Sequence, residues 1–155
     1  MKTNDVTGRL RAGFVNVAVE LGRPGISASF EDVQTVTRAL ARLDVEFQKE
    51  NPVTSLFTND RNGDLNPEVL GERVLSALVE FEIPVSRVPE LVEALEEAGK
   101  TVDTVFSAAL AEPIRPGESE PELIQILEEN GIFYRPNGKT NVGLGKPFLP
   151  VEAAS

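Results

Sequence analysis

Apolar residues recur every three to four positions along most of the first 131 residues, and this spacing constrains the fold more than any other feature. Val33, Val36, Leu40, Leu43 and Phe47 fall on one helical face that runs to about Lys49. Ser29 stands ahead of them as an N-cap, and Glu31 and Asp32 sit in the first turn, where they complement the helix dipole. Asn51-Pro52 ends that segment. After a loop over 51–65, Asn66 caps another element with Pro67 at its first position. Leu70, Val74, Leu78 and Phe81 give it one face, and Val69, Leu75 and Val79 widen it, which predicts a central helix packed on two sides.

Pro84 and Pro89 punctuate the next junction. Val88, Leu91, Val92 and Leu95 form a narrow stripe, with Gly99 as a C′ residue. Thr101 is placed to cap a further helix, in which Val102, Val105, Phe106, Ala109 and Leu110 are apolar. A Pro/Gly loop from Glu112 to Glu118 leads to a last helix. Ser119, Pro121 and Glu122 open it, Leu123, Ile124, Ile126 and Leu127 lie inside, and Asn130-Gly131 stops it.

Two stretches break the helical period. Val15, Val17, Val19 and Leu21 alternate with Asn16, Ala18 and Glu20, a period of two that favours a strand. Arg23-Pro24-Gly25 then turns the chain toward a second strand over Ile26–Phe30. A helix from Thr7 to Leu21 competes, with Leu10, Phe14, Val17 and Leu21 on one face. After Gly131, Ile132-Phe133-Tyr134-Arg135 and Lys139–Val142 flank Pro136-Asn137-Gly138, a hairpin signal. Gly143 to Ser155 has no period. The expected fold is therefore mainly α. It has five or so short amphipathic helices, minor β hairpins near the N- and C-termini, and an extended C-terminal arm. Residues 1–131 read as a compact helical domain and 132–155 as the hairpin and arm.

A chain of 155 residues suits one domain. At this size about 68–70% of the unfolded surface is buried, enough for a core without metal or disulfide. Absence of cysteine removes disulfides and thiolate nucleophiles. Absence of histidine removes the side chain that titrates near neutrality and the commonest transition-metal ligand, so no cofactor is expected. The N-terminus lacks the apolar core of a signal peptide, and no stretch is long and apolar enough to span a membrane. The expected location is cytoplasm or virion.

The net charge of −10 is unevenly spread. Residues 1–79 hold 9 Lys/Arg against 11 Asp/Glu, residues 80–130 hold 3 against 13, and residues 131–155 hold 3 against 1. Nothing clusters basic residues as phosphate binding requires, so direct nucleic-acid contact is not expected.

The candidate sites are weak as chemistry. Asp60-Arg61-Asn62-Gly63-Asp64 begins like a calcium loop, which makes Asp60, Asn62 and Asp64 its metal candidates. The sixth position is Leu65 rather than Gly, and the twelfth is Gly71 rather than Glu, so a polar turn leading into Asn66 fits better. Gly143-Leu144-Gly145-Lys146 fails as a phosphate loop, since Thr140 stands where Gly is needed and Pro147 follows the lysine. Glu90, Glu93, Glu96 and Glu97 read as the solvated side of an amphipathic helix.

The C-terminal segment carries the strongest expectation. Phe133, Tyr134, Arg135, Lys146, Phe148, Leu149 and Val151 place aromatic, aliphatic and basic groups in an extended, proline-fixed arm suited to a groove or sheet edge. The arm is weakly basic and residues 80–130 are acidic. The expected function is a non-enzymatic structural or assembly protein whose partners are copies of itself and neighbouring subunits, by analogy with virion connector and tail proteins of bacteriophage. An acidic regulator that mimics phosphate charge is the alternative. A carboxylate- or cation-dependent enzyme at Asp60 and Asp64 comes third.

Overall fold

The computed structural model describes residues 10–23, 25–59, 61–114, 117 and 119–135. Its first element, β1 (Phe14–Leu21), is the strand that the valine alternation favours. Val15, Val17, Val19 and Leu21 are fully buried on one face, and Asn16 and Glu20 are half-buried on the other. Two residues of β2 (Ala28–Ser29) lead into α1 (Phe30–Ala41), followed by β3 (Glu46–Phe47). Short strands β4 (Phe57–Asn59), β5 (Asp64–Leu65) and β6 (Arg73–Val74) precede β7 (Ala77–Pro84). The chain then forms α2 (Val88–Gly99), β8 (Phe106–Ala111) and α3 (Glu122–Glu129).

The principal sheet has the order β3-β7-β1-β8, and every neighbouring pair is antiparallel. Each βαβ unit thus leaves a gap that a strand of the other unit fills. This is the split βαβ, or ferredoxin-like, topology. Val79, Phe81 and Ile83 of β7 join the odd-numbered residues of β1 beneath Val33, Val36 and Leu40 of α1 and Val88, Leu91 and Leu95 of α2 in one core. The opposite face of the sheet carries Glu20, Glu80 and Glu82. There Glu82, 6% exposed, is held by Arg11 at 2.8 Å, and Arg11 also reaches Glu46 at 3.1 Å and lies 3.9 Å from the Phe14 ring.

The mainly α expectation is therefore corrected: the described residues hold three α-helices and a four-stranded antiparallel sheet. Two predicted helices are strands. Over 66–81, the i, i+4 spacing of Leu70, Val74 and Leu78 takes one residue each from a turn, from β6 and from β7. Asn66 does cap, accepting from the Glu68 amide at 3.0 Å, but it heads only a three-residue 3-10 turn at Pro67–Val69. Over 101–110, Thr101 does not begin a helix. Its hydroxyl donates to the Ala98 carbonyl at 2.9 Å and closes the end of α2. The second strand expected over Ile26–Phe30 is only Ala28–Ser29, and it pairs with β6 rather than folding back on β1. No strand occurs over 132–135, and the rest of the C-terminal hairpin lies outside the described residues.

Three predicted helices remain. Around α1 the predicted cap is a full capping box: the Ser29 hydroxyl accepts from the Asp32 amide and the Asp32 carboxylate accepts from the Ser29 amide. The helix stops at Ala41, well before Lys49, because Asp44 takes a left-handed conformation (φ 51°) and redirects Phe47 into β3. The N-terminus of α3 is closed by Glu112, which accepts from the Leu123 amide at 2.7 Å, rather than by Ser119.

Asp32 also ties α1 to the approach to β8, since its second oxygen accepts from the Asp103 amide at 2.9 Å. Burial pushes its pKa up, but bonds from the Ser29 hydroxyl and the Asp103 and Ser29 amides, with the charge of Arg73, pull it below the ordinary carboxylate value. A lowered folded-state pKa stabilises the fold above the unfolded value, and that gain is lost as pH falls through the folded one. The variant Asp32→Asn is expected to unfold more readily at neutral pH and to lose less stability below pH ~4 than the parent. Urea midpoints measured at several pH values check this, and parallel curves for the two chains would contradict it.

Candidate interaction surfaces

The predicted cation loop is a tight turn clamped onto α1. Asp60 lies outside the described residues. The Asn62 amide group donates to one Asp64 oxygen at 2.6 Å, and Arg38 binds the other at 2.7 Å. The Asp64 carboxylate is thus committed to a guanidinium and an amide. Around it, Arg38, Ala41, Arg42, Arg61, Asn62 and Asp64 line a shallow hollow of about 330 Å³. Three arginines beside one carboxylate suit an anion better than a metal. Arg38 and Arg42 also complement the dipole at the end of α1, which accounts for them structurally. Among the described residues no group of His, Cys, Asp or Glu is arranged to hold a metal ion, and no helix is long and apolar enough to cross a membrane.

Glu90, Glu93, Glu96 and Glu97 all face solvent along α2. Arg87 binds Glu90 at 2.7 Å and Lys100 binds Glu97, so half of the acidic patch is already paired.

The predicted arm divides. Ile132 and Tyr134 pack back on the core, while Phe133 and Arg135 point to solvent, with Phe133 87% exposed. The Tyr134 hydroxyl donates to Glu128 at 3.1 Å. That bond, together with burial and the charge of Glu128, holds the phenol pKa above its usual value. Lys146, Phe148, Leu149 and Val151 lie outside the described residues.

A second exposed apolar surface is built where β1 ends. Gly22 turns the chain with φ +80°, and a Cβ there would meet the backbone of Ser27 at 2.8 Å and the Leu75 carbonyl at 3.1 Å. The Gly22 amide donates to the Val105 carbonyl at 2.8 Å, and the Gly22 carbonyl accepts from the Ile26 amide at 3.0 Å. The Thr104 hydroxyl donates to the Ser27 carbonyl at 2.6 Å. These bonds tie the 22–27 and 104–105 loops together, and the pairing of Ala28 with Val74 brings the Leu75 loop alongside. Each loop presents one large apolar side chain: Ile26, 52% exposed, Leu75, 85% exposed, and Val105, 43% exposed. Reading 66–81 and 101–110 as helices hides this surface, because it assigns Leu75 and Val105 to buried faces. Gly71-Glu72-Arg73, a poor centre for a buried helix, is the signal against that assignment.

The comparison with virion and phage components rested on a helical body and is withdrawn with it. The topology itself hosts many unrelated functions and names none. No protein-family model matches this chain, nor does any curated protein or solved structure.

Proposed function

We propose that this chain is a non-catalytic assembly protein that docks through apolar surface at one end of its sheet, with copies of itself as its partners. One observation carries the reading: three loops that meet around Gly22 each leave a large apolar side chain, Ile26, Leu75 and Val105, in solvent. Apolar side chains scattered singly on a surface need no explanation, but exposed apolar surface gathered at one end of a sheet supports an interaction site. In a chain of net charge −10, this end also carries Arg23 and Arg73 beside Glu72 and Asp103, so two copies meet there without a one-sided excess of acid.

Leu75→Glu tests this. The side chain leaves no core contact, so stability is expected to stay within about 0.5 kcal/mol of the parent. Light scattering over a range of concentrations is expected to show self-association of the parent weakened at least about tenfold in the variant. Equal association of the two chains, or a parent that stays monomeric throughout, would overturn the reading.

A further inference from the structure

The two edges of the principal sheet are finished differently. The β3 edge is two residues long, and its Glu46 is ion-paired to Arg11. Short, charged edges resist strand addition. The β8 edge is six residues long, reads FSAALA, and carries neither charge nor proline. Ser107 and Ala108 are exposed on it.

The main-chain pattern shows which groups this edge offers. Gly22 and Val105 form a hydrogen-bonded pair. Bonded and non-bonded pairs alternate in an antiparallel ladder, so Ser107, Ala109 and Ala111 direct their main-chain groups at β1. Phe106, Ala108 and Leu110 direct theirs outward. The same alternation holds across the sheet, where the Val85 amide bonds the Gly13 carbonyl and the Gln48 amide bonds the Glu80 carbonyl. Among the described residues no main-chain bond ties the outward groups of Phe106, Ala108 and Leu110 to another strand.

The geometry points to β8 as the seam of a two-fold dimer, in which the β8 edges of two copies pair antiparallel about Ala108 and join two four-stranded sheets into one of eight. This inference rests on the assembly reading above and names the contact. With Ala108 opposite its own copy, Phe106 faces Leu110 of the second chain, and these three residues on each strand exchange about six hydrogen bonds. Ser107 then faces Ala109 on the other side of the sheet. No charge meets its like across the axis, whereas pairing through the glutamate-rich open face or α2 would oppose acid to acid. Val105, beside the strand and bonded to Gly22, links the seam to the apolar end. A six-residue ladder is about 20 Å long, which gives a small interface and a concentration-dependent dimer.

Ala108→Pro in the full chain is the test. Its amide faces away from β1, so proline removes no bond within the fold, and proline is tolerated at such edge positions. Ala108→Lys, which opposes two like charges at the axis, serves as a second variant. Light scattering is expected to show the dimer dissociation constant raised at least about tenfold in both, with circular dichroism unchanged. In the parent, the amides of Phe106, Ala108 and Leu110 are expected to gain protection from hydrogen exchange as concentration and mass rise together. Protection independent of concentration would mean that a segment of the same chain covers the edge, and would overturn the dimer. Unchanged mass in both Ala108 variants, with loss in Leu75→Glu, would overturn the β8 seam and leave the apolar-end reading standing. Loss in the Ala108 variants alone would do the reverse. A parent that remains monomeric overturns both.

Discussion

An alanine at position 63 is expected to lower the unfolding free energy by about 2–5 kcal/mol. Gly63 has φ +73°, and a Cβ built on it lies 2.8 Å from the Arg38 amide nitrogen and 2.5 Å from the Thr37 carbonyl carbon. The left-handed conformation alone costs a non-glycine residue about 1–2 kcal/mol. Overpacking against rigid helical backbone adds about 1–3 kcal/mol, since nothing at the contact is a movable side-chain tip. The turn also cannot slide away, because the buried Thr37 hydroxyl donates to the Gly63 carbonyl at 2.7 Å and Arg38 holds Asp64. Gly25 is the control. It too has a positive φ, of 67°, but nothing lies within 4 Å of its would-be Cβ. Gly25→Ala is expected to cost only the conformational part. Urea unfolding of both variants gives the difference directly, provided the slope of each transition is unchanged. Equal losses would mean that the contact with α1 is absent.

Truncation of Phe81 to alanine is expected to cost about 3–5 kcal/mol, a large share of a typical domain's stability of about 5–15 kcal/mol. Phe81 has no exposed surface and lies opposite Val17 of β1 on one side and Phe47 of β3 on the other. Its ring is 6.1 Å from that of Phe47, which in turn meets Phe57 edge-on at 5.0 Å. Leu75→Ala makes the comparison informative about the fold. A helix over 66–81 would bury both residues, whereas the observed sheet exposes Leu75, so its truncation is expected to change stability by less than about 0.5 kcal/mol. Thermal or urea unfolding of the two variants checks both values. Comparable losses at the two positions would contradict the strand.

These two sites show where the fold was legible. β1 could be read because Val15, Val17, Val19 and Leu21 recur at every second position and form one buried face, although Ala18 is buried on the other. Helices α1 and α2 could be read because each has a single apolar stripe, and Ser29 provides a local start signal for α1. β7 was misread although Val79, Phe81 and Ile83 alternate with Glu80 and Glu82. Leu70, Val74 and Leu78 extend a helical spacing into it, and Asn66-Pro67 is a sound helix opening that leads only to one turn. Local chemistry there is overridden by pairing with β1, a partner distant in sequence. β8 was misread for the opposite reason: its alanines favour helix, and as an edge strand it buries too little for a period of two to show. The candidate surface at Gly22 was illegible because Ile26, Leu75 and Val105 come from three segments that only the fold brings together. Of the residues assigned to the arm, Phe133 and Arg135 are exposed, and Lys146, Phe148, Leu149 and Val151 lie outside the described residues.

The central position of β1 also sets a schedule for how the chain comes together. β1 is translated early, yet both strands that flank it, β7 and β8, are translated much later. At about 5–20 residues per second, a ribosome leaves the Val-rich strand without its sheet partners for on the order of ten seconds. During that interval α1 can form, but the core it belongs to cannot close. The first unit waits for the second because the strand that fills its gap belongs to the second. Contacts this distant in sequence slow refolding as well. For this chain, therefore, the most aggregation-prone moment falls while its most deeply buried strand is still half-dressed.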